Sequence, residues 1–412
     1  MKENLHIFEG YGVELEYMIV NKNNLAVNPI ADEVIKEVAG GYTSDIEFEE
    51  LEWSNELVLH VIELKTHGPA SNLDKLSSLF HKDVKKINRI LDKYNSMLMP
   101  TGAHPFMNPY TETKLWPHDY NPIYELYDRI FNCKGHGWSN LQSVHLNLPF
   151  FNDAEFEKLH TAIRTLLPIV PAIAASTPIL DGKFTGFLDT RLEYYRKNQI
   201  KIPLITGNVI PEKISSKKEY EEKILNKIYS EISPLDPDKI LQNEWLNSRG
   251  AIARFDRNTI EIRIMDSQEA PLAEIAIVEL ISKALKKLIN GSWSTVQEQQ
   301  NLNDDLLHEI FLRTIKTGED SIITEKEYLT PFGINKKIIT AGDIWKHLFD
   351  SLIFESNPEQ KSILNPVEII LYHGTLAKRI LKSLKGDASK DNLISIYRTL
   401  SGCLKENKMF IP

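Results

Sequence analysis

The chain has 412 residues, 42% apolar and 25% charged, with a net charge of −9. That is the balance of an ordinary globular protein, and an acidic chain without a basic tail is a poor partner for nucleic acid. The longest apolar run, 166–175, is interrupted by Pro168 and Pro171 and is too short to cross a bilayer. Cys133 and Cys403 form no CxxC pair, which argues against a disulfide scaffold or thiolate zinc site, and the opening residues lack an apolar leader. A reducing cytoplasm is the expected location.

From Gly12 to Val20, Val13, Leu15, Tyr17 and Ile19 alternate with Glu14, Glu16 and Met18, the pattern of a half-buried strand. A second strand is expected from Glu56 to Lys65. Asn72 then caps a helix with Leu73, Leu76, Phe80, Val84, Ile87 and Leu91 at helical spacing. A short strand near Met97 follows. Residues 107–140 read as a long, aromatic-rich loop with some helix, and loops of that length in compact domains are usually functional or disordered. Its aromatics, among them Trp116, Tyr120, Tyr124 and Tyr127, are assigned to packing.

Ser143–Leu148 is a third strand. Asp153 caps a helix that ends near Pro168, and 215–231 reads as a charged, exposed helix. Arg249–Phe255 and Thr259–Met265 form a hairpin, followed by a helix from Pro271 to Ile289 that ends at Asn290-Gly291. Beyond about residue 300 no strand is expected, and Asp305–Lys316, Ala341–Phe354, Pro366–Leu384 and Asp391–Glu406 read as helices. The expected class is α+β: an antiparallel sheet with helices on one face and a helical C-terminal part, 1–290 and 291–412, within one catalytic domain.

The candidate chemistry follows from strand faces. Glu14 and Glu16 share one side of the first strand, and Ser143, His145 and Asn147 share one side of the third. Glu261 and Arg263 share one side of the hairpin, and Glu63 lies near the end of the second strand. Taken alone, the Glu14/Glu16 pair reads first as part of a solvated sheet face, His145 as a structural histidine and Arg263 as a salt-bridge partner; their recurrence on separate strands brings the two readings level. Glutamate is a poor strand former, however, and like charges on neighbouring strands repel. A face that gathers glutamates is explained by a bound divalent cation, which takes oxygen ligands, and the adjacent arginines suit phosphate oxygens. No P-loop, no GxGxxG after a strand and no nucleophile elbow is present.

Several of these stretches, in this order, resemble the glutamate–cysteine ligase family, in particular its second, YbdK-like group of carboxylate–amine ligases. Gly12-Val13-Glu14-Leu15-Glu16 is similar to that family's GxExE strand, and Glu63-Leu64-Lys65-Thr66 to its E-x-[RK]-T strand. Gly102-Ala103-His104-Pro105-Phe106 resembles its G-x-HPF element, and Ser143-Val144-His145 its HVH strand. Ala175-Ser176-Thr177-Pro178, with Thr185-Gly186-Phe187-Leu188-Asp189-Thr190-Arg191, resembles its ASSP…TGfxSxR stretch. Thr259-Ile260-Glu261-Ile262-Arg263-Ile264-Met265-Asp266 resembles its TxExRxxD strand.

The resemblance implies a glutamine synthetase-like fold, with a curved antiparallel sheet and helices on its convex face. It implies an ATP-dependent ligase that activates a carboxylate as an acyl phosphate and joins it to an amine. Glu14, Glu16, Glu63, His145 and Glu261 would hold Mg²⁺ or Mn²⁺. Arg191, Arg254 and Arg263, with Lys65, would bind ATP phosphates or the substrate, Arg191 and Arg263 taking part in catalysis. The implied partners are a small carboxylate, glutamate first, and a small amine, with no nucleic acid and no membrane; a homo-oligomer stays open. Two positions depart from the pattern: Ser143 stands where the family has a histidine, and Asp189 where it has a small residue. A guanidino-kinase-type phosphotransferase, or a non-catalytic binding protein on the same fold, are the alternatives.

Overall fold

The computed structural model describes residues 4–412. Eight strands form one antiparallel sheet: β1 (Gly12–Asn21), β2 (Asp45–Glu47), β3 (Leu51–Asn55), β4 (Val61–Thr66), β5 (Ser96–Met99), β6 (Ser143–Pro149), β7 (Ala251–Arg254) and β8 (Thr259–Asp266). Their order is β2-β3-β4-β1-β6-β8-β7, and β5 pairs with the second half of β1.

The alternation in β1 sorts as expected. Val13, Leu15, Tyr17 and Ile19 are fully buried with Leu64, Val144, Leu146, Ile260 and Ile262 against a layer of helices. Phe80, Val84, Ile87 and Leu91 of the helix Leu76–Leu91, Phe156 and Leu159 of Asp153–Leu166, and Ile277, Ile281 and Leu285 of Pro271–Ile289 supply that layer. Burying one such aliphatic or aromatic side chain contributes about 1.5–3 kcal/mol, so this face supplies much of the driving force for folding. On the other face of the sheet the character changes along β1. Glu14 and Glu16 come first; Met18 and Val20 then pack with Val61, Met99, Ile380, Tyr397 and Leu400. The helices Leu376–Leu384 and Lys390–Glu406 therefore bound the polar patch on one side.

Some boundaries differ from the sequence reading. The expected strand Glu56–Lys65 begins only at Val61, because Val61 N–H bonds back to the carbonyl of Val58 in a turn. The short strands β2 and β3 were not anticipated. Leu51 and Trp53 are buried in the core, while Glu52 and Ser54 face the polar patch. Asn72 caps only a local turn at Asp74, and Asn152, not Asp153, caps the helix Asp153–Leu166. The span 107–140 contains the helix Asn121–Phe131.

Pro366 does not start a helix. It lies inside Pro358–His373, whose start is set by an Asn357/Gln360 capping box, and Gly374 at φ +99° breaks the run before Leu376–Leu384. Beyond residue 300, Ile322–Ile323 pairs with Ile339–Thr340, a two-residue ladder too short to leave a period in the sequence. No helix among the described residues is long and apolar enough to cross a membrane.

Candidate active site

Strand register assembles the polar face in rows, since directly opposed residues project to the same side. One row runs Glu52–Lys65–Glu14–His145 across β3, β4, β1 and β6. The next runs Ser54–Glu63–Glu16. Asn147 opposes Gly12 on one side and Glu261 on the other. A Cβ on Gly12 would stand 2.9 Å from that of Asn147, so the glycine lets the Asn147 side chain cross β1.

His145 lies at the centre. Its Nδ1 is 2.7 Å from Glu14 Oε2 and 4.0 Å from Glu261, and its Nε2 is 3.7 Å from Glu16. Glu14, His145 and Glu261 offer ligand atoms within 4.8 Å of one another, and Glu16, Glu63 and His145 do the same. Five residues expected as metal ligands are thus gathered into two adjoining sets.

The protonation pattern shows how the bare face bears its charge. Burial pushes His145 down, but hydrogen bonding to Glu14 and the fields of Glu14, Glu16 and Glu261 outweigh it and raise its pKa to about 9. Burial pushes Glu14 up, and His145, Lys65 and Arg263 overcome this and hold it at about 2. Glu63 is raised to about 7 by burial and by Glu14. Glu16 is raised by burial, and Glu261 is lowered because Arg263 outweighs its desolvation. The oxygen-rich donor set suits a hard divalent ion, and the buried Oδ1 of Asn147 lacks a hydrogen-bond partner.

The cationic residues divide. Arg254 reaches Glu261 (3.5 Å) and Asp256 (3.1 Å), Arg263 pairs with Glu261, and Lys65 lies 3.1 Å from Glu52 and 3.4 Å from Glu63. All three border the acidic face. Arg191, expected on the face, lies beneath it and is 2% exposed. Its Nε donates to Asp266 Oδ1 at 2.5 Å and its Nη2 to the carbonyl of Arg263 at 3.3 Å. Asp266 also accepts from the N–H of Ser176 and the hydroxyl of Thr177. Arg191 ties the Ala175–Pro178 stretch to β8 and sets the backbone that carries Arg263.

Both departures from the family pattern have local roles. Ser143 donates its N–H to Glu16 Oε2 at 2.8 Å, and its hydroxyl lies 2.9 Å from His145 Nε2. The serine therefore orients Glu16 and His145. Asp189 is buried and caps the helix Thr190–Tyr195 through the N–H of Leu192.

Other site residues escaped the sequence reading. Glu56 lies in the turn before β4; burial, then Glu16 and Glu63, push its carboxyl far above the usual range. Its proximity to two candidate ligands places it with the second set. Trp116 is core, as expected. Tyr127 is buried in the core too and Tyr124 packs against it, and with Tyr120 they also line a cavity of about 360 Å³ together with Trp245, Glu63 and Lys65; Tyr124 accepts from Asn55 at 3.0 Å. Aromatic walls over a charged floor describe a site for a ligand with a flat apolar part and an anionic part.

The α+β fold thus carries an acidic sheet face with flanking cations, and a cavity with aromatic walls opens beside it. The model of the glutamate–cysteine ligase family 2 matches residues 11–398, and the chain belongs to that family. An uncharacterised protein of Archaeoglobus fulgidus is 34% identical over 400 residues, 97% of this chain and all of that protein. Two solved structures share the fold. A glutamate–cysteine ligase of Francisella tularensis, in complex with AMP, superposes with a TM-score of 0.59 at 12% identity, over 97% of this chain and 89% of its own. A bifunctional glutathione synthetase of Pasteurella multocida superposes with a TM-score of 0.63 at 13% identity, over 97% of this chain, which spans about half (53%) of that longer protein.

Proposed function

We propose that the protein is an ATP-dependent carboxylate–amine ligase that forms an amide bond, with a γ-glutamyl donor, through an acyl phosphate. The observation that carries this reading is the pair of ligand sets that meet at His145, bordered by Lys65, Arg254 and Arg263. Family membership and the AMP-bound neighbour support a nucleotide as the second component.

Glu14 and Glu261 on one side of His145, and Glu16 and Glu63 with Glu56 beside them on the other, would hold magnesium, the neutral imidazole serving one ion at a time. Magnesium, when bound there, would supply positive charge that offsets the phosphate charge. Arg254 and Arg263 face Glu261 and would stabilise the equatorial oxygens of the transferring phosphoryl group. Lys65 would bind a further phosphate oxygen. The donor carboxylate would attack the γ-phosphorus in line, releasing ADP. The amine would then attack the acyl carbon, and phosphate and a proton would leave. Tyr124, Tyr127 and Trp245 would shield the site from water and receive a flat part of the nucleotide or acceptor.

The test is ADP formation by the full chain with Mg²⁺ or Mn²⁺, given glutamate alone, amines alone, and pairs. ADP only with a carboxylate and an amine together, plus an amide product, supports the ligase. A stable phosphorylated acceptor without condensation replaces this reading with a phosphotransferase. No turnover with any pair leaves a binding protein.

A further inference from the structure

A second cavity, of about 590 Å³, is larger than the one over the acidic face and shares no lining residue with it. It lies where the segment after Pro105 meets the start of the helix Lys390–Glu406, so its walls come from both the sheet-containing part and the C-terminal helices. A volume near this value falls in the range of ordinary small-molecule sites, about 300–1,000 Å³.

Its walls are held by a buried polar chain. Asn140 Oδ1 accepts the backbone N–H of His104 at 2.6 Å, which fixes the orientation of the amide. Asn140 Nδ2 therefore donates, to the carbonyl of His104 and to Nδ1 of His136, each at 3.0 Å. With Nδ1 accepting, the proton of His136 sits on Nε2 and is donated to Asp181 Oδ1 at 3.0 Å. Burial lowers the pKa of His136 and favours this neutral form. The result is an oriented carboxylate at the rim, carried on a tight turn in which Asp181 has φ +50°.

Lys390 lines the same cavity. Its ammonium lies over the ring of Phe106, 5.4 Å from the centroid, and it forms no ion pair among the described residues. Tyr194 packs edge-on to His136 at 5.4 Å, and Tyr110 is an exposed aromatic wall. An oriented carboxylate, a cation outside any ion pair and aromatic side chains lining one cavity complement a ligand with an ammonium, a carboxylate and a side chain.

We propose that this cavity is a second binding site that takes a small zwitterion of the amino-acid class, its ammonium toward Asp181 and its carboxylate toward Lys390. The ligand is either a free amino acid or a short peptide. This site is independent of the ligase reading, because none of its residues belongs to the acidic face.

Isothermal titration of the full chain without nucleotide tests it, first with the free L-amino acids one at a time, then with glutamyl dipeptides. The expected result is saturable binding by at least one member of either set. Lys390→Gln and Asp181→Asn each weaken it tenfold or more, and Glu14→Gln leaves it unchanged. Asp181→Asn keeps both the turn and the acceptor for His136, so lost affinity reports lost charge. N-acetyl and carboxyl-amide forms of the binder should fail to bind. The set that binds tells free amino acid from peptide. No binding by either set overturns the proposal, as does affinity indifferent to both rim variants. Binding abolished by Glu14→Gln would assign the ligand to the acidic face and equally overturn it.

Discussion

Glu14 and His145 oppose each other across β1 and β6, and the 2.7 Å contact between Oε2 and Nδ1 links the two ligand sets. Neutralising Glu14 removes a ligand and also the partner that orients His145. Partners one shell out from a metal typically cost about 10–100-fold when removed, so loss of a ligand should cost at least as much. Glu14→Gln is expected to lower Mg²⁺-dependent ADP formation by about 100-fold or more. It should leave the far-ultraviolet circular dichroism unchanged, since Glu14 lies outside the apolar core. Wild-type turnover in this variant would remove the metal assignment.

Arg191 and Arg254 should separate by phenotype. Removing one partner of a buried ion pair costs about 3–5 kcal/mol, because the other charge is left unpaired. Arg191→Ala strands Asp266, which is 0% exposed, and should lower the urea midpoint markedly. Arg254 borders the face; its partner Asp256 is half exposed, and its buried partner Glu261 keeps the pairing with Arg263 when Arg254 is removed. Arg254→Ala should cut kcat with a much smaller change in midpoint. Equal destabilisation by both variants would contradict the placement of Arg191 beneath the face.

Much of this site was legible because the relevant strands alternate where the site residues stand, although β8 shifts register between Ile262 and Met265. In β1, β6 and β8 a period of two assigns each side chain to a face, and Glu14, Glu16, His145 and Glu261 duly converge. The α+β class and the stacked helices follow from the same patterning. Glu56 could not be placed that way, because a turn gives its residues no common face. The three-residue strand β2 leaves no readable period, and Glu52 and Ser54 were hidden with it. Arg191 carries no local sign of its depth, which comes from pairing with Asp266, distant in the chain. Tyr124 and Tyr127 do pack with the core, and their second role, lining one cavity with Glu63 and Lys65, depends on where the helix Asn121–Phe131 lies in the fold.

Glu274 makes stability depend on pH. It is fully buried, accepts the hydroxyl of Tyr17 and the N–H of Gln268, and burial raises its pKa to about 8. The folded state holds this proton between the unfolded value, near 4.5, and about 8, where the unfolded chain has released it. The folded state thus binds more protons in that window, and stability falls as pH rises through it. The contribution is complete below pH 4.5 and is lost as pH passes about 8. Urea unfolding from pH 5 to 9 should show the wild type losing more stability than Glu274→Gln, whose amide does not titrate. Parallel curves would show that Glu274 is ionised throughout.

The helix Pro271–Ile289 follows directly from β8, yet Ala270 at its N-cap position has no side chain to offer. Asn407, from the far end of the chain, supplies the cap: its Oδ1 accepts the N–H of Leu272 at 2.9 Å. Asn407 also adopts φ +53°, which asparagine and aspartate tolerate better than most residues. Asn407→Ala loses the acceptor and that tolerance together, and should cost about 1–2 kcal/mol. Asn407→Asp keeps an acceptor, fits the same backbone and adds a charge favoured at a helix N-terminus, so it should stay near wild type. Urea denaturation of the two variants decides the matter. Equal losses would show that the segment after Glu406 is held by its packing and not by this cap.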